Sequence, residues 1–269
     1  RDGERAILID PFFTRPPGVV NLLLNREIAP DPALIRRWLD RLGVQRLDAV
    51  LVSHSHFDHA MDAGLVAQTT GARLIGSAST ANIGRGAGLA EAQLQVVTPG
   101  APIALPPFTI TFIESPHAGA TGGRPLGEIS EPLRPPARYL DYRLGGSYSI
   151  HIAHPRGALL HHGSAGYRPG ALRGLEADLV FLGIALRPEL GPYLDAVVHA
   201  VGARRVIPTH WDDFTRGLDE PLRPAPLGLH LDRFFADMAS RHTHLQVQTL
   251  ALGRPYTLFP ATPPAGDPP

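Results

Sequence analysis

The chain contains no cysteine and no lysine; all 25 of its Lys+Arg residues are arginine. Without cysteine there is no disulfide, no thiolate zinc site, no iron–sulfur cluster and no thiol nucleophile. Without lysine a Schiff-base enzyme, a P-loop NTPase and a Ser-x-x-Lys acyl-enzyme are excluded, because each needs the amine. A charge bias is also missing. The 25 acidic residues balance the 25 basic ones, so the basic excess expected of a nucleic-acid or anionic-membrane binder is not there. No uninterrupted apolar run reaches the roughly 18 residues of a membrane span. What the 269 residues do offer is enough chain for a large α/β core, and 13 histidines, unevenly placed.

The chain opens at Arg1 and immediately enters a strand pattern, Arg5-Ala-Ile-Leu-Ile-Asp10, so further sequence is expected to precede it. A leader or anchor there would decide between a cytoplasmic and a periplasmic or membrane-anchored protein. Membrane association is expected by no other route. Asp31-Pro32 reads as a helix start, Asp as N-cap and Pro at the first helical position, with Gly43 as its end. Strands are predicted at 47–52, 73–76, 94–97 and 108–113, and a helix at 60–70. The second half repeats the theme. Strands are predicted at 148–153, 158–162, 178–183, 204–207, 245–250 and 256–259, and helices at 188–201 and 227–241. One hydrolase-sized domain over 1–259 is expected, with a disordered Pro-rich tail at 260–269. Residues 118–141 are rich in Gly, Pro and Arg without a period. They read as a long loop, either a lid that offers Arg124, Arg134 or Arg138 to an anionic substrate or a solubilising segment. Gly84-Arg-Gly86-Ala-Gly88 reads as a flexible loop near the cleft, too weak a pattern for nucleotide binding.

The informative segment is Leu51-Val-Ser-His54-Ser-His56-Phe-Asp58-His59. Imidazole and carboxylate are ordinary metal ligands. An extended backbone points alternate side chains the same way, so His54 and His56 can converge on one ion. Asp58 and His59 follow where the chain turns into a helix, and can aim at a second ion nearby. Asp62 reads as helix surface. His151, His154, His199, His230, His242 and His244 read as exposed or internally satisfied.

His-x-His-x-Asp-His after a strand resembles the signature of the metallo-β-lactamase fold superfamily. The resemblance implies an αββα sandwich, α/β in class, with two zinc ions at one edge; Mn2+ or Fe2+ remains admissible. It implies further ligands. His117, after the 108–113 strand, matches the third ligand of the first ion. His210, in Pro208-Thr-His-Trp-Asp212, matches the last ligand of the second, beside Asp58 and His59. That last motif is most similar to the branch containing ascorbate-6-phosphate lactonase and the N-acyl-phosphatidylethanolamine phospholipase D enzymes. Asp212 and Asp213 read as a solvated turn in preference to supports behind a metal ligand. Asp10 resembles an aspartate that ends an early strand and can orient a metal-bound histidine from behind, or cap a turn. Where the family has a bridging aspartate, this chain has Ser164, in His161-His162-Gly-Ser164. That removes one negative charge and should weaken the second site. His161 or His162 can compensate, with His162 the candidate, since strand alternation lets only one face the metals; core or surface places for both are an equal alternative.

The implied activity is hydrolysis of an ester, lactone or phosphodiester by metal-bound hydroxide, with Asp58 holding the second metal and orienting the nucleophile. The partner is a small-molecule or lipid-like substrate, not nucleic acid. Two rivals stand beside it. One is a serine hydrolase using Ser164, whose His162-Gly-Ser-Ala-Gly166 lacks one glycine of the nucleophile-elbow motif. The other is a non-catalytic metal-binding protein of the same fold.

Overall fold

Two facing β-sheets with helices outside each make up the computed structural model. The structure describes all residues except 4, 17–18, 120–122, 226–230 and 261–269, together with the side chains of 19 and 22. His230, the start of the predicted 227–241 helix and the predicted disordered tail beyond Pro260 lie outside the described residues.

The first half runs β1 (Ile7–Ile9), α1 (Val19–Leu23), β2 (Glu27–Ile28), α2 (Pro32–Arg41), β3 (Ala49–Leu51), α3 (Phe57–Ala60), α4 (Ala63–Thr70), β4 (Arg73–Gly76), α5 (Ala78–Gly86) and β5 (Leu94–Val96). Strands β1, β3, β4 and β5 lie side by side in that order, all parallel. The rest runs β6 (Pro102–Leu105), β7 (Phe108–Glu114), β8 (Ala137–Arg138), β9 (Tyr148–His154), β10 (Gly157–His162), β11 (Leu179–Gly183), α6 (Leu190–Val197), β12 (Arg205–Thr209), α7 (Leu231–Arg241) and β13 (Gln246–Val247). These give a mixed seven-stranded sheet in the order β13-β12-β11-β10-β9-β7-β6, while β2 and β8 pair separately.

Side-chain alternation along the strands builds the layers. Ala49 and Leu51 of β3 face Ile110, Phe112, Ile150 and Ile152 of the other sheet and form the inter-sheet core. Val50, between them, turns outward and joins Ile35, Trp38 and Val66 of the helices covering the first sheet. Val180, Leu182 and Val206 likewise meet Leu194, Phe234 and Met238 outside the second. The sequence pattern therefore produces the αββα sandwich. Among the described residues no helix is long and apolar enough to cross a membrane.

The Asp31 cap forms as expected. Its carboxylate accepts the Ala33 and Leu34 N–H groups at 2.9 and 3.0 Å, a contact typically worth about 1 kcal/mol. Other expectations change. The 60–70 helix is two helices, α3 and α4, with Asp62 at their junction. Asp62 is fully buried rather than a surface residue, and its carboxylate accepts the Phe13 and Thr14 N–H groups. Gly84 and Gly86 belong to helix α5, not to a flexible loop. Gly86 is required by close approach, since a Cβ there would lie 1.7 Å from the Leu133 carbonyl oxygen. The helix thus clamps the Pro-rich segment, which Ser79 and Asn82 also hold through the Ile129 N–H and carbonyl groups. Residues 256–259 form no strand. Arg205 instead reaches the Leu258 carbonyl and stacks over Phe259, so this segment packs through side chains without joining the ladder.

Candidate metal centre

The candidate ligands all sit beyond the C-terminal ends of strands, the edge where α/β sheets place their sites. His54, His56, Asp58 and His59 follow β3; His117 follows β7; His210 follows β12; Asp10 follows β1. The loop after β3 is fixed to the neighbouring segment on both sides. Ser55 N–H donates to the Leu144 carbonyl and Tyr148 N–H to the Ser53 carbonyl, and a β-bridge joins His54 to Ser147. Two residues at this rim adopt the left-handed backbone that non-glycine residues avoid, Asp10 with φ 45° and His210 with φ 58°. Such strain is typical of functional positions held by their surroundings.

Two groups result. His54, His56 and His117 bring their ligand atoms within 4.8 Å of one another, and so do Asp58, His59 and His210. In the first group the ring centroids form a nearly equilateral triangle, 4.8, 4.9 and 4.9 Å on a side. The groups adjoin, with the His54 and His59 rings 3.9 Å apart. In the second, Asp58 Oδ2 lies 3.3 Å from His59 Nε2 and 3.2 Å from His210 Nε2. All six positions expected from the sequence are therefore brought together.

The hydrogen bonds behind the rings decide which nitrogen faces inward. An ionised carboxylate only accepts, so Ser53 Oγ–H donates to Asp10 Oδ2 at 2.6 Å. The Ser53 oxygen then accepts from His54 Nδ1–H at 3.1 Å, which leaves the lone pair on Nε2. His56 Nε2–H donates to the Pro125 carbonyl and His117 Nδ1–H to the Ala118 carbonyl, at 3.3 and 2.8 Å. His59 Nδ1–H donates to Asp10 at 2.8 Å. Each ring is tethered by one nitrogen and offers the other. His54 Nε2 and His59 Nε2 are buried without a hydrogen-bond partner. Buried polar atoms left this way are costly unless something else binds them, so the donor set fits divalent metal.

The electrostatics separate the groups. Burial pushes His54, His56 and His117 below the ordinary imidazole range, His117 to about 4. Burial acts the same way on His59, but Asp58 and Asp10 overrule it and hold it up at about 10. Burial would raise Asp10, but the imidazoles of His59 and His161 outweigh it and keep the carboxylate ionised.

Several residues around the site differ from expectation. His161, not His162, faces Asp10, with Nε2 at 3.0 Å. His162 points to the opposite face of β10, where it meets Ser149 Oγ at 2.7 Å and the Tyr193 ring, so it reaches neither group. The register explains this: Leu160 and His162 share the helix-facing side, Leu159 and His161 the inter-sheet side. Ser164 Oγ accepts the Ala118 N–H at 2.8 Å, and no imidazole bonds to it among the described residues. Gly166, which lends the segment its elbow-like look, is needed for packing. A Cβ there would lie 2.2 Å from the Pro116 carbonyl oxygen and 2.6 Å from the His117 carbonyl carbon. Asp212 is not a solvated turn residue; it pairs with the half-buried Arg15 at 2.6 Å. Arg124, Arg134 and Arg138 are exposed, and the structure joins none of them to the two groups. Ser53 went unnoticed in the sequence. Its only signal there is its place between a buried strand and His54.

A profile of the metallo-beta-lactamase superfamily matches residues 1–240. A UPF0173 metal-dependent hydrolase of Myxococcus xanthus is 30% identical over 212 residues, covering 76% of this chain and 68% of the relative. Among solved structures, an isothiocyanate hydrolase from Delia radicum gut bacteria superposes with TM-score 0.58 at 15% identity, covering 95% of this chain and 93% of that one. A metallo hydrolase from the archaeon Ignicoccus hospitalis gives 0.54 at 16% identity, covering 92% and 88%. At such identities the two structures speak for the fold alone, while the matched profile and the bacterial relative carry the assignment: the chain belongs to the metallo-beta-lactamase superfamily.

Proposed function

We propose that the chain is a dinuclear metal hydrolase, zinc foremost, that cleaves an ester, lactone or phosphodiester bond. The coarser statement, a metal-dependent hydrolase, follows from the family and its relatives. One observation supports the finer reading most: two adjoining ligand groups, with His54 Nε2 of the first buried without a partner and His59 Nε2 of the second facing only the Asp58 carboxylate. His54, His56 and His117 would hold one ion, and Asp58, His59 and His210 the other. Bound there, the metals supply Lewis acidity and lower the pKa of a water to about 7.

The chain's own residues do the positioning. Ser53, Pro125 and Ala118 fix the three rings of the first group, and Asp10 fixes His59. Asp58, between His59 and His210, is placed to orient a nucleophile through its carboxylate. Beside His117 lies an open cleft of about 350 Å³, walled by Pro116, Ala118, Ala165, Tyr167, Leu186 and Pro188. Among the described residues its lining includes no arginine. It suits an apolar substituent next to the scissile bond, which favours an ester, lactone or lipid-like substrate over a polyanion.

The test is metal analysis of purified protein, followed by assays on a neutral aryl ester, a lactone and an aryl phosphodiester. Two equivalents of metal and chelator-sensitive turnover of at least one substrate are expected. Protein that stays metal-free in zinc-supplemented buffer would defeat the reading.

A further inference from the structure

His199, His242 and His244 play no part in the centre above. They come from two distant segments. His199 follows α6, in a short 3-10 turn, and His242-Thr-His244 links α7 to β13. The fold brings them together at the surface. His199 Nε2 and His244 Nε2 lie 3.2 Å apart, and the two ring centroids 5.3 Å. His242 is adjacent, its ring 6.2 Å from His199 and 6.4 Å from His244.

The protons define what this pair offers. Asp195, one turn back on α6, has Oδ1 2.9 Å from His199 Nδ1. A carboxylate accepts, so Nδ1 carries the proton and His199 Nε2 presents its lone pair toward His244. This repeats the arrangement of Asp10 behind His59, in which a carboxylate orients an imidazole and raises its basicity as a ligand. Two nitrogens bound to one tetrahedral zinc, each about 2.0–2.1 Å from it, stand about 3.4 Å apart. The observed separation already matches.

We propose that His199 and His244 form a second, solvent-facing transition-metal site, with Asp195 orienting His199 and His242 joining by a side-chain rotation. The ion would tie the end of α6 to the turn before β13. It shares no residue with the central groups, and with fewer buried ligands it should bind zinc more weakly than they do.

The experiment titrates zinc into the purified holoprotein by calorimetry, with the thermal midpoint followed in parallel. The wild type should take one equivalent more than His199→Ala/His244→Ala, and only the wild type should gain Tm from that equivalent. Hydrolysis should be the same in both, which also reports that the variant folds. His244→Ala alone, which leaves α6 intact, should lose the same equivalent, and Asp195→Ala should weaken it about tenfold. Equal zinc uptake and equal Tm response in wild type and both histidine variants would overturn the site and leave His199–His244 a plain imidazole hydrogen bond. Because the reading is a difference between proteins, it holds or fails whether or not the central groups prove dinuclear.

Discussion

The two central groups are neighbours of opposite electrostatic character. His54, His56 and His117 contain no carboxylate, and their tethers are a hydroxyl and two backbone carbonyls. Asp58, His59 and His210 contain one carboxylate and have a second, Asp10, directly behind. The first group stays neutral by burial. The second concentrates negative charge and holds a proton on His59. One short segment, His54 to His59, thus feeds one site built on shape and one built on charge. A cation displaces little from the first and replaces a proton in the second, so the two should differ in affinity.

The largest effects come from removing a ligand from either group. His56→Ala and Asp58→Ala should each lower turnover more than about 100-fold, beyond the usual cost of losing a residue that merely supports a ligand. Each should also lose about one metal equivalent, and the surviving ion should be a different one in each variant. Metal analysis combined with chelator kinetics checks this. If both variants kept the same ion, the two groups would not be separate sites.

Asp10→Asn sharpens the comparison, because Asp10 meets His59 directly and His54 only through Ser53. It keeps an acceptor for Ser53 and His59 and removes the charge. We expect the slow or fast chelator phase belonging to the Asp58 group to change by about 10–100-fold while the other phase stays put. Equal changes in both phases would mean that Asp10 serves the whole rim through Ser53 rather than His59 alone.

The degree to which this site could be read in advance follows from its physics. Ligand type and local spacing are sequence properties, so His54, His56, Asp58 and His59 stand out unaided. His117 and His210 needed the family pattern, because nothing local separates a ligand from any strand-end histidine. The supports were harder. Ser53 is an ordinary serine until Asp10 is brought beside it from 43 positions away. The choice between His161 and His162 depended on which face of β10 looks inward, and an apolar residue on each face leaves that undecided until the sheet is built. The layers came with the family pattern, because 49–51 is apolar and buried throughout and nothing local in it separates a sandwich from a doubly wound sheet. The split between α3 and α4 was not legible, because it turns on Asp62 meeting the Phe13 and Thr14 N–H groups across the fold.

Asp62 tests the claim that ionised carboxylates at this rim are confined to the second group. Asp10 is met by two imidazoles; Asp62 is met by the Phe13 and Thr14 N–H groups and the Thr14 side chain, none of them cationic, and its Oδ1 has no partner. Burial raises Asp62 to about 7, with the Thr14 and Phe13 donors pulling the other way. A carboxyl whose folded pKa is raised binds more protons folded than unfolded. Its contribution to stability is therefore complete below the unfolded value, near 4, and is lost as pH rises to about 7. Between pH 5 and 8 the wild type should lose stability relative to Asp62→Asn by at most about 3 kcal/mol, two pKa units at 1.36 each. Urea midpoints of both proteins at the two pH values measure it, and the difference cancels the metal centre's own pH response. No relative change would place Asp62 among the ionised carboxylates.

The smallest expected effect belongs to Ser164, which touches the edge of the first group through Ala118. Ser164→Ala removes the acceptor for the Ala118 N–H, one residue beyond His117. The cost should be that of one hydrogen bond, about 0.5–1.5 kcal/mol, or at most roughly tenfold in turnover. Were Ser164 a nucleophile, the loss would approach the roughly 10⁶ seen when a serine protease loses its serine. The geometry opposes that role, because among the described residues no imidazole bonds to its hydroxyl. Ser164→Asp goes the other way, adding a carboxylate where the family has one. It should tighten the ion of the Asp58 group and widen its difference from the His117 group, while Ala118 keeps an acceptor. A dead Ser164→Ala protein beside a chelator-resistant wild type would erase the distinction between the groups, because neither would then carry the chemistry.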